Sequence, residues 1–227
     1  MILEELKRNA ACKAVEEYVK SGMVVGLGTG TTASWVIRHL GELLARGELQ
    51  NIRGISTSHR STSLALESGI PLVTLTEARP DLTIDGADEI SPDLDLVKGR
   101  GGALLREKIV AAASDALIVV ADETKLFEQL GHTRLPVEVE PFGWETTLEA
   151  LSSLGSEPEL RTLAGEPVRT DGNHYTIDCA FGLIEDPAAL EAEIKRIPGA
   201  LECGLFVNMA RAAVIGSREG TRILKPR

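Results

Sequence analysis

The sequence is poor in cysteine and has no long apolar run. Its three cysteines, Cys12, Cys179 and Cys203, lie far apart, and no CxxC pair occurs among the 227 residues. This spacing argues against a cysteine-based zinc site and against a disulfide framework, and it is typical of buried thiols in a reducing compartment. No stretch reaches the run of about 18 apolar residues that a membrane span requires. We therefore expect a cytoplasmic protein that does not enter a membrane.

Positive charge is also scarce. Lysine and arginine total 24 against 34 aspartate and glutamate residues, so the formal net charge is −10. This balance argues against nucleic acid as a partner, because proteins bind phosphate backbones largely through lysine and arginine. Residues 1–19 are amphipathic and charged throughout, so we expect no signal peptide. An apolar content of 43% predicts a globular fold, in which an anion site would have to concentrate the few cations.

The first part of the chain alternates strand and helix patterns. Apolar residues at helical spacing predict helices over 3–19, 31–45 and 104–115, and a shorter helix over 61–69 that Gly69 closes. Short apolar runs predict strands over 23–28, 51–57, 70–75, 80–90 and 116–122. Because strands that alternate with helices form parallel sheets, this part predicts a parallel sheet covered on both faces.

The pattern changes near residue 133 to strand, helix, strand, strand, helix, strand. The predicted segments are 135–142, 143–154, 158–163, 174–179, 187–197 and 202–207. This order is that of a ferredoxin-like arrangement, with a turn at residues 170–175 in which Asp-Gly favours positive φ. A terminal hairpin over 212–226 is expected to return to the first domain. The predicted domains are therefore 1–132 with 208–227, and 133–207.

A glycine-threonine turn joins the first predicted strand to the second helix. Its sequence, "GLGTGTT" over 26–32, places three glycines and three threonines where a parallel-sheet fold exposes helical N–H groups to ligands. The helix dipole adds positive charge, so the turn suits a phosphate group. The lysine of a nucleotide P-loop is missing, and Thr31 interrupts the dinucleotide pattern GxGxxG. A small phosphorylated metabolite fits best; a tight turn without a ligand is the alternative.

Acidic and glycine-rich motifs follow further along the chain. "TIDGADEI" places Asp85 at the end of an apolar strand, with Asp88 and Glu89 just beyond it. "VKGRGGALLREK" then supplies Lys98, a glycine-rich turn and Glu107 on a helix. Each charge alone would most simply be a solvated surface residue. In combination, a carboxylate at the sheet edge, a lysine and a helical carboxylate suit proton transfer beside a carbonyl, where an oxyanion develops.

These motifs, together with "GLGTGTTA", "VVADETKL" and "LPVEV", resemble the ribose-5-phosphate isomerase A family. The resemblance covers nearly the whole chain. It implies an α/β protein: a Rossmann-like parallel-sheet domain with a smaller ferredoxin-like α+β domain inserted before a C-terminal hairpin. It implies interconversion of ribose 5-phosphate and ribulose 5-phosphate, a step of the non-oxidative pentose phosphate pathway, without a metal or organic cofactor. It also implies a homodimer or homotetramer.

The resemblance implies roles for individual residues. Glu107 would be the general base between C1 and C2, Asp85 would handle protons on the sugar oxygens, and Lys98 would stabilise an enediolate. Asp88 would orient these groups. The implied phosphate and sugar ligands are Gly28, Thr29, Gly30, Thr31, Thr32, Gly99, Gly101, Lys125, Lys7 and Ser56, the last in a hydroxyl-rich loop with Thr57 and Ser58. Arg100 stands where many relatives have glycine, and we expect it to point outward.

Other functions fit parts of the pattern. A sugar-phosphate sensor domain of a transcription regulator would cradle phosphate, but it would not need Glu107 and Lys98 together, and no helix-turn-helix segment is evident. A coenzyme A transferase-like enzyme is a further alternative on the same scaffold, whereas the 85–89 segment argues against a glucosamine-6-phosphate deaminase-like one. A nicotinamide dehydrogenase is disfavoured by Thr31 and by the lack of a clear ribose-binding acid after the second strand.

Overall fold

The computed structural model describes residues 2–227 of the chain. They form two compact units. The larger unit comprises the segment that ends at Ala87, together with Arg106–Lys125 and Met209–Arg227. The smaller unit comprises Asp88–Leu105 and Leu126–Asn208. This division gives the smaller unit residues 88–105, 126–132 and 208, which the sequence pattern assigns to the first domain.

Helices and short strands alternate along the described residues. The helices are α1 (Ile2–Tyr18), α2 (Thr31–Ala45), α3 (His59–Glu67), α4 (Leu104–Ala113), α5 (Trp144–Ser153) and α6 (Pro187–Lys195). The strands are β1 (Val24–Leu27), β2 (Arg53–Ser56), β3 (Leu82–Asp85), β4 (Glu89–Ile90), β5 (Leu96–Val97), β6 (Leu117–Asp122), β7 (Leu135–Val139), β8 (Glu157–Leu160), β9 (Thr162–Leu163), β10 (Glu166–Pro167), β11 (Tyr175–Ala180), β12 (Ala200–Cys203), β13 (Leu205–Phe206), β14 (Ala210–Ser217) and β15 (Gly220–Leu224).

The larger unit is built on a sheet with the order β15-β14-β6-β3-β1-β2. All neighbouring pairs are parallel except β14 and β15, which form the terminal hairpin. The hairpin joins this sheet through parallel pairing of β14 with β6. The predicted Rossmann-like parallel sheet and the returning hairpin are therefore confirmed.

The two faces of this sheet pack against different helices. One face presents Val25, Leu27 and Ile84 to a buried core that α1, α2 and α3 complete. On the other face, Val24 and Ile55 form a buried cluster with Val110 of α4. Because alternate strand residues point to opposite faces, every second residue after Val24 along β1 also faces α4.

The smaller unit contains an antiparallel sheet with the order β12-β7-β11-β8. In chain order the unit runs β7, α5, β8, β11, α6, β12, which is a βαββαβ unit. Its four strands lie in the sheet in the order fourth, first, third, second, so the predicted ferredoxin-like arrangement is confirmed. Buried apolar residues such as Val137, Ile177 and Leu151 form its core. A second, short sheet has the order β13-β5-β4.

Several details of the predicted strands are wrong. Residues 70–75 make only a single bridge, between Leu72 and Gly54, because Pro71 has no N–H to donate to a ladder. The predicted strand 202–207 is divided between β12 and β13, which belong to different sheets. In the turn before β11 the positive φ falls on Asn173, at 68°, and not on Gly172. No helix within residues 2–227 combines the length and the apolar character of a membrane span.

Candidate active site

Asp85 ends β3 at the carboxyl edge of the larger sheet. Its side chain is buried, and its Oδ1 accepts the backbone N–H groups of Thr29, at 3.0 Å, and Gly86, at 2.7 Å. Gly28 makes this approach possible, because a Cβ there would lie 2.1 Å from that same oxygen. The Asp85 carboxylate therefore joins the loop after β1 to the loop after β3.

The glycine-threonine turn leads directly into α2. Gly30 is the N-cap residue with φ 113°, a conformation that favours glycine, and it has no side chain with which to cap the helix. The first turn of α2 contains Thr31 and Thr32 and no acidic residue. Its N–H groups and the helix dipole therefore favour an anion at this end.

Lys7 of α1 approaches the same helix end. Its Nζ lies 3.3 Å from Thr31 Oγ1 and 2.8 Å from Glu4 Oε1, and its side chain is only 13% exposed. The hydrogen bonds from Lys7 and from the Trp35 indole N–H lower the pKa of the Glu4 carboxyl below its usual value. Glu4 thus holds the Lys7 ammonium beside the start of α2, in a protein in which acidic residues outnumber lysine and arginine.

Hydroxyl groups from two loops meet beside the turn. Thr29 Oγ1 lies 2.8 Å from both Thr57 Oγ1 and Ser58 Oγ. Thr57 is fully buried, and its hydroxyl donates to the backbone oxygen of Leu27 at 2.9 Å. Ser56 is held instead by Thr62 at 2.6 Å. Thr57 and Ser58 therefore contact the glycine-threonine turn through their hydroxyls, whereas Ser56 pairs with Leu27 through its backbone and its hydroxyl is bonded to Thr62.

Glu107 lies in the first turn of α4 and is buried, with 4% exposure. It shares a helical face with Val110 and Ser114, because residues three and seven positions apart align on a helix. That face points at the sheet: a Cβ on Gly26 would lie 2.9 Å from Val110, and the Ser114 and Thr83 hydroxyls are 2.7 Å apart.

The direction of α4 places Glu107 near the carboxyl edge of the sheet. Glu107 is seven residues before Ser114, roughly 10 Å along the helix, whereas Asp85 is two residues beyond Thr83, roughly 7 Å along the strand. Thr83 and Asp85 point to the same face because they alternate along β3. Glu107 and Asp85 are therefore on one face of the sheet and at the same end of it.

Lys125, the other cation predicted for the larger unit, ends a short 3-10 turn over Glu123–Lys125 and is partly exposed. This turn directly follows β6, next to β3 in the sheet. Its chain position is thus also at the carboxyl edge, where ligands bind in parallel-sheet folds.

The remaining predicted residues belong to the smaller unit. Lys98 is 3% exposed, its backbone N–H donates to Gly204 at 2.8 Å, and its Nζ lies 5.3 Å from the centre of the Phe206 ring. Gly99 has φ 107°, and a Cβ there would lie 2.7 Å from Leu104. This turn therefore requires glycine both for its conformation and for its packing.

Asp88 is tied to the same turn. Its Oδ2 accepts the backbone N–H of Arg100 at 3.1 Å. Arg100 and Gly101 are both exposed, so the expectation that Arg100 points outward agrees with its exposure. Arg100 also borders a cavity of about 320 Å³ in the smaller unit, to which Asp88 and Arg161 contribute.

Comparison with known proteins identifies the family. The family model of ribose 5-phosphate isomerase A (phosphoriboisomerase A) matches residues 53–220. Ribose-5-phosphate isomerase A of Gloeobacter violaceus is 54% identical over 229 residues, which cover 100% of this chain and 98% of that protein. The chain belongs to the ribose 5-phosphate isomerase A family.

Solved structures agree with this membership of the isomerase A family. A D-ribose-5-phosphate isomerase in complex with phospho-erythronic acid has a TM-score of 0.96 and 41% identity, covering 99% of this chain and 100% of that one. The ribose 5-phosphate isomerase of Plasmodium falciparum has a TM-score of 0.95 and 40% identity, with the same coverage. The fold described above is thus the fold of this isomerase family.

Glu89, the last acid of the family motif, has a structural position that the sequence does not reveal. It is fully buried, and its carboxylate accepts the backbone N–H groups of Gly131, at 2.7 Å, and His132, at 3.3 Å. It also accepts the Thr133 hydroxyl at 2.6 Å and the Thr133 backbone N–H. Glu89 therefore fixes the 131–133 loop. Only its place beside Asp88 could have drawn attention to it.

Metal-ligating and nucleophilic groups lie elsewhere in the smaller unit. Among the described residues, Glu191, Glu202 and Cys203 bring potential ligand atoms within 4.8 Å of one another. Glu202 already accepts the Lys195 ammonium at 2.6 Å, which reduces its suitability as a metal ligand. Burial raises the pKa of the Cys179 thiol to about 12, so this thiol is not a nucleophile near neutral pH.

Proposed function

We propose that this chain interconverts D-ribose 5-phosphate and D-ribulose 5-phosphate through an enediolate, with Glu107 as the general base and without a metal or organic cofactor. Membership of the isomerase A family supports the reaction. The mechanism is supported by two features: Asp85 is hydrogen-bonded to the glycine-threonine turn, and the contacts of Val110 and Ser114 with the sheet, with helix and strand spacing, indicate that Glu107 shares the face and the end of the sheet that Asp85 occupies.

The glycine-threonine turn suits the phosphate end of the substrate. The N–H groups at the start of α2, the hydroxyls of Thr31 and Thr32 and the ammonium of Lys7 can all donate to phosphate oxygens. We assign Lys125 and Gly28–Gly30 to the same end, and Gly99 and Gly101 to the sugar. Anchoring the phosphate leaves C1 and C2 at the other end of a five-carbon chain, and holding them in place removes much of the entropic barrier.

The proposed reaction moves one proton between adjacent carbons. From the open-chain aldehyde, the Glu107 carboxylate removes the proton on C2, the electron pair forms the C1=C2 bond, and the carbonyl oxygen on C1 becomes an oxyanion. Glu107 then returns its proton to C1 as the C1=C2 bond is broken, and the hydroxyl proton on O2 is transferred to the oxyanion on O1, so that C2=O forms and O1 becomes the C1 hydroxyl of the ketose. One base serves both carbons because they are neighbours, and general base catalysis contributes roughly 10²–10⁴-fold.

The oxygens of the substrate require their own partners. We assign Lys98 to the oxyanion, because a buried cation stabilises developing negative charge more strongly than a solvated one. We assign Asp85 to proton transfer on the sugar oxygens and to ring opening, and Asp88 to orienting these groups. A homodimer or homotetramer and a cytoplasmic location stay predictions from the family resemblance.

The test uses ribose 5-phosphate in the presence of EDTA, with ketose formation followed by ultraviolet absorbance. The wild-type protein should turn over, and Glu107→Gln, which keeps the shape of the side chain, should lower kcat by about 10²–10⁴-fold. Glu67→Gln, at an exposed position on α3, is the matched control and should keep wild-type activity. Undiminished turnover by Glu107→Gln would exclude the proposed base, and loss of wild-type turnover in EDTA would exclude the metal-free reaction.

A further inference from the structure

Arg161 follows β8 and is held rigidly by its neighbour on β11. Its Nε donates to Oδ2 of Asp178 at 2.8 Å and its Nη2 to Oδ1 at 2.5 Å, so the pair is bidentate. Both side chains are largely buried, with 19% and 22% exposure. A bidentate guanidinium–carboxylate pair of this kind fixes the orientation of the arginine as well as its position.

The third nitrogen of the same guanidinium contacts the glycine-rich turn. Nη1 of Arg161 donates to the backbone oxygens of Gly99, at 3.1 Å, and Arg100, at 3.3 Å. The Gly99 carbonyl and the Arg100 N–H belong to one peptide group, and that N–H donates to Asp88 Oδ2 at 3.1 Å. Arg161 and Asp88 therefore hold the same peptide group from its two ends.

In this arrangement the Arg161 guanidinium, the dipole of the Gly99–Arg100 peptide group and the Asp88 carboxylate lie one after another. A guanidinium at the oxygen of a peptide group and a carboxylate at its N–H polarise the group in the same direction, so each hydrogen bond strengthens the other. Gly99 cannot fix the turn by itself, because glycine has the widest conformational freedom of all residues. The turn after Lys98 has one internal hydrogen bond, from the Gly102 N–H to the Gly99 carbonyl at 3.1 Å, and Arg161 adds two hydrogen bonds from outside it.

We propose that Arg161 is a positioning residue for the isomerisation, because through the Gly99–Arg100 peptide group it fixes both the Asp88 carboxylate and the turn that follows Lys98. Asp178 orients Arg161 for this task. The inference rests on the proposed function, since it takes Asp88 and Lys98 as members of the catalytic machinery. It adds a residue that lies about 60 positions beyond the family motif in the chain.

The first test compares Arg161→Gln and Arg161→Lys with wild type in the ribose 5-phosphate assay. Misplacement of a catalytic group by about 1 Å costs on the order of 10²-fold, so kcat should fall roughly 10–100-fold for both variants. KM should change less than about 2-fold, because phosphate binding is assigned to other residues. Arg169→Gln is the matched control: Arg169 also donates to a backbone oxygen of the smaller unit, that of Asn173, and should keep wild-type kcat.

The second test is a double-mutant cycle with Asp88→Asn. Arg161→Gln decreases kcat by some factor in the wild-type background. If Arg161 acts through Asp88, the corresponding factor in the Asp88→Asn background should be at least about 5 times smaller. Independent losses, or wild-type kcat in both Arg161 variants, would overturn the proposal. Thermal unfolding is measured for every variant, and Arg161→Lys is used for the cycle if Arg161→Gln does not fold. A wild-type protein that produces no ketose would instead refute the proposed function.

Discussion

Gly28→Ala tests whether the Asp85 carboxylate must approach the loop after β1. An alanine Cβ at this position would lie 2.1 Å from Asp85 Oδ1 and 2.6 Å from Asp85 Cα. The second contact is with backbone, so rotation of the Asp85 side chain cannot relieve it. The end of β3 and the loop must therefore separate, and the hydrogen bond from Thr29 N to Asp85 is lengthened or lost.

The size of the effect follows from the geometry. Reaching an ordinary contact of 3.4 Å from 2.6 Å requires a displacement of about 0.8 Å. Overpacking of this kind destabilises proteins by about 1–3 kcal/mol, and misplacement of a reacting group by about 1 Å costs on the order of 10²-fold. We expect Gly28→Ala to lose about 1–3 kcal/mol of unfolding free energy and on the order of 10²-fold in kcat.

Urea unfolding and steady-state kinetics with ribose 5-phosphate measure the two quantities. Gly86→Ala is the matched control, because the nearest atom that a Cβ there would meet among residues 2–227, apart from its chain neighbours, is the Val120 carbonyl oxygen at an ordinary 3.8 Å, and the N–H that donates to Asp85 is retained. It should keep most of its activity and stability. If Gly28→Ala has the kcat and the stability of wild type, the close approach of Asp85 to the loop plays no part in the reaction.

Two further predictions concern charges in the two units. Lys7→Met should raise KM roughly 10-fold or more, with a smaller effect on kcat, because a charge-assisted hydrogen bond contributes about 1.5–3 kcal/mol to binding; Lys13→Met, at an exposed pair with Glu17, should change neither. Burial raises the pKa of the Asp95 carboxyl above its usual 3.8, although the hydrogen bond from the Asn208 N–H opposes this increase. The folded chain therefore binds the carboxyl proton more tightly than the unfolded chain does. The stability that this proton contributes is lost as the pH rises through the folded pKa. Asp95→Asn, which keeps the oxygen acceptor, should therefore be more stable than wild type at about pH 7 and equal to it below about pH 4 in urea unfolding; equal stability at both pH values would contradict this sign.

Periodicity and glycine placement made much of the fold predictable. The strand and helix around the glycine-threonine turn, β1 and α2, begin and end within about two residues of their predicted bounds. The change of pattern near residue 133 likewise predicted the ferredoxin-like sheet order. Residues 70–75 show the limit of this approach: their apolar run is that of a strand, but Leu75 is exposed and Pro71 cannot donate, so the segment stays outside the ladder.

The sequence proposes residue types for the candidate site and does not predict their contacts. The motif indicated Asp85, Asp88 and Glu107 as candidate groups because carboxylates follow a buried strand and start a helix. It could not indicate that Asp88 is held by the Arg100 backbone, or that Arg161 completes that arrangement. Such contacts join residues 12 to 62 positions apart, and no periodicity in a single sequence records which of them meet.

In the folded chain, a glycine lies close to each of the three acids of the 85–89 segment. Each of the three carboxylates accepts at least one backbone N–H group, and a glycine contributes to each arrangement. Gly28 leaves room for Asp85, and Gly99 forms the turn whose next N–H reaches Asp88. Gly131, with φ 105°, donates its own N–H to Glu89.

This pairing also bears on the charge of the protein. With a formal net charge of −10, the chain cannot place a lysine or arginine beside every carboxylate that must stay in position. Backbone N–H groups hold Asp85, Asp88 and Glu89 without adding a mobile charge beside them. Arg161 likewise contacts Asp88 only through a peptide group, and its own charge is balanced by Asp178.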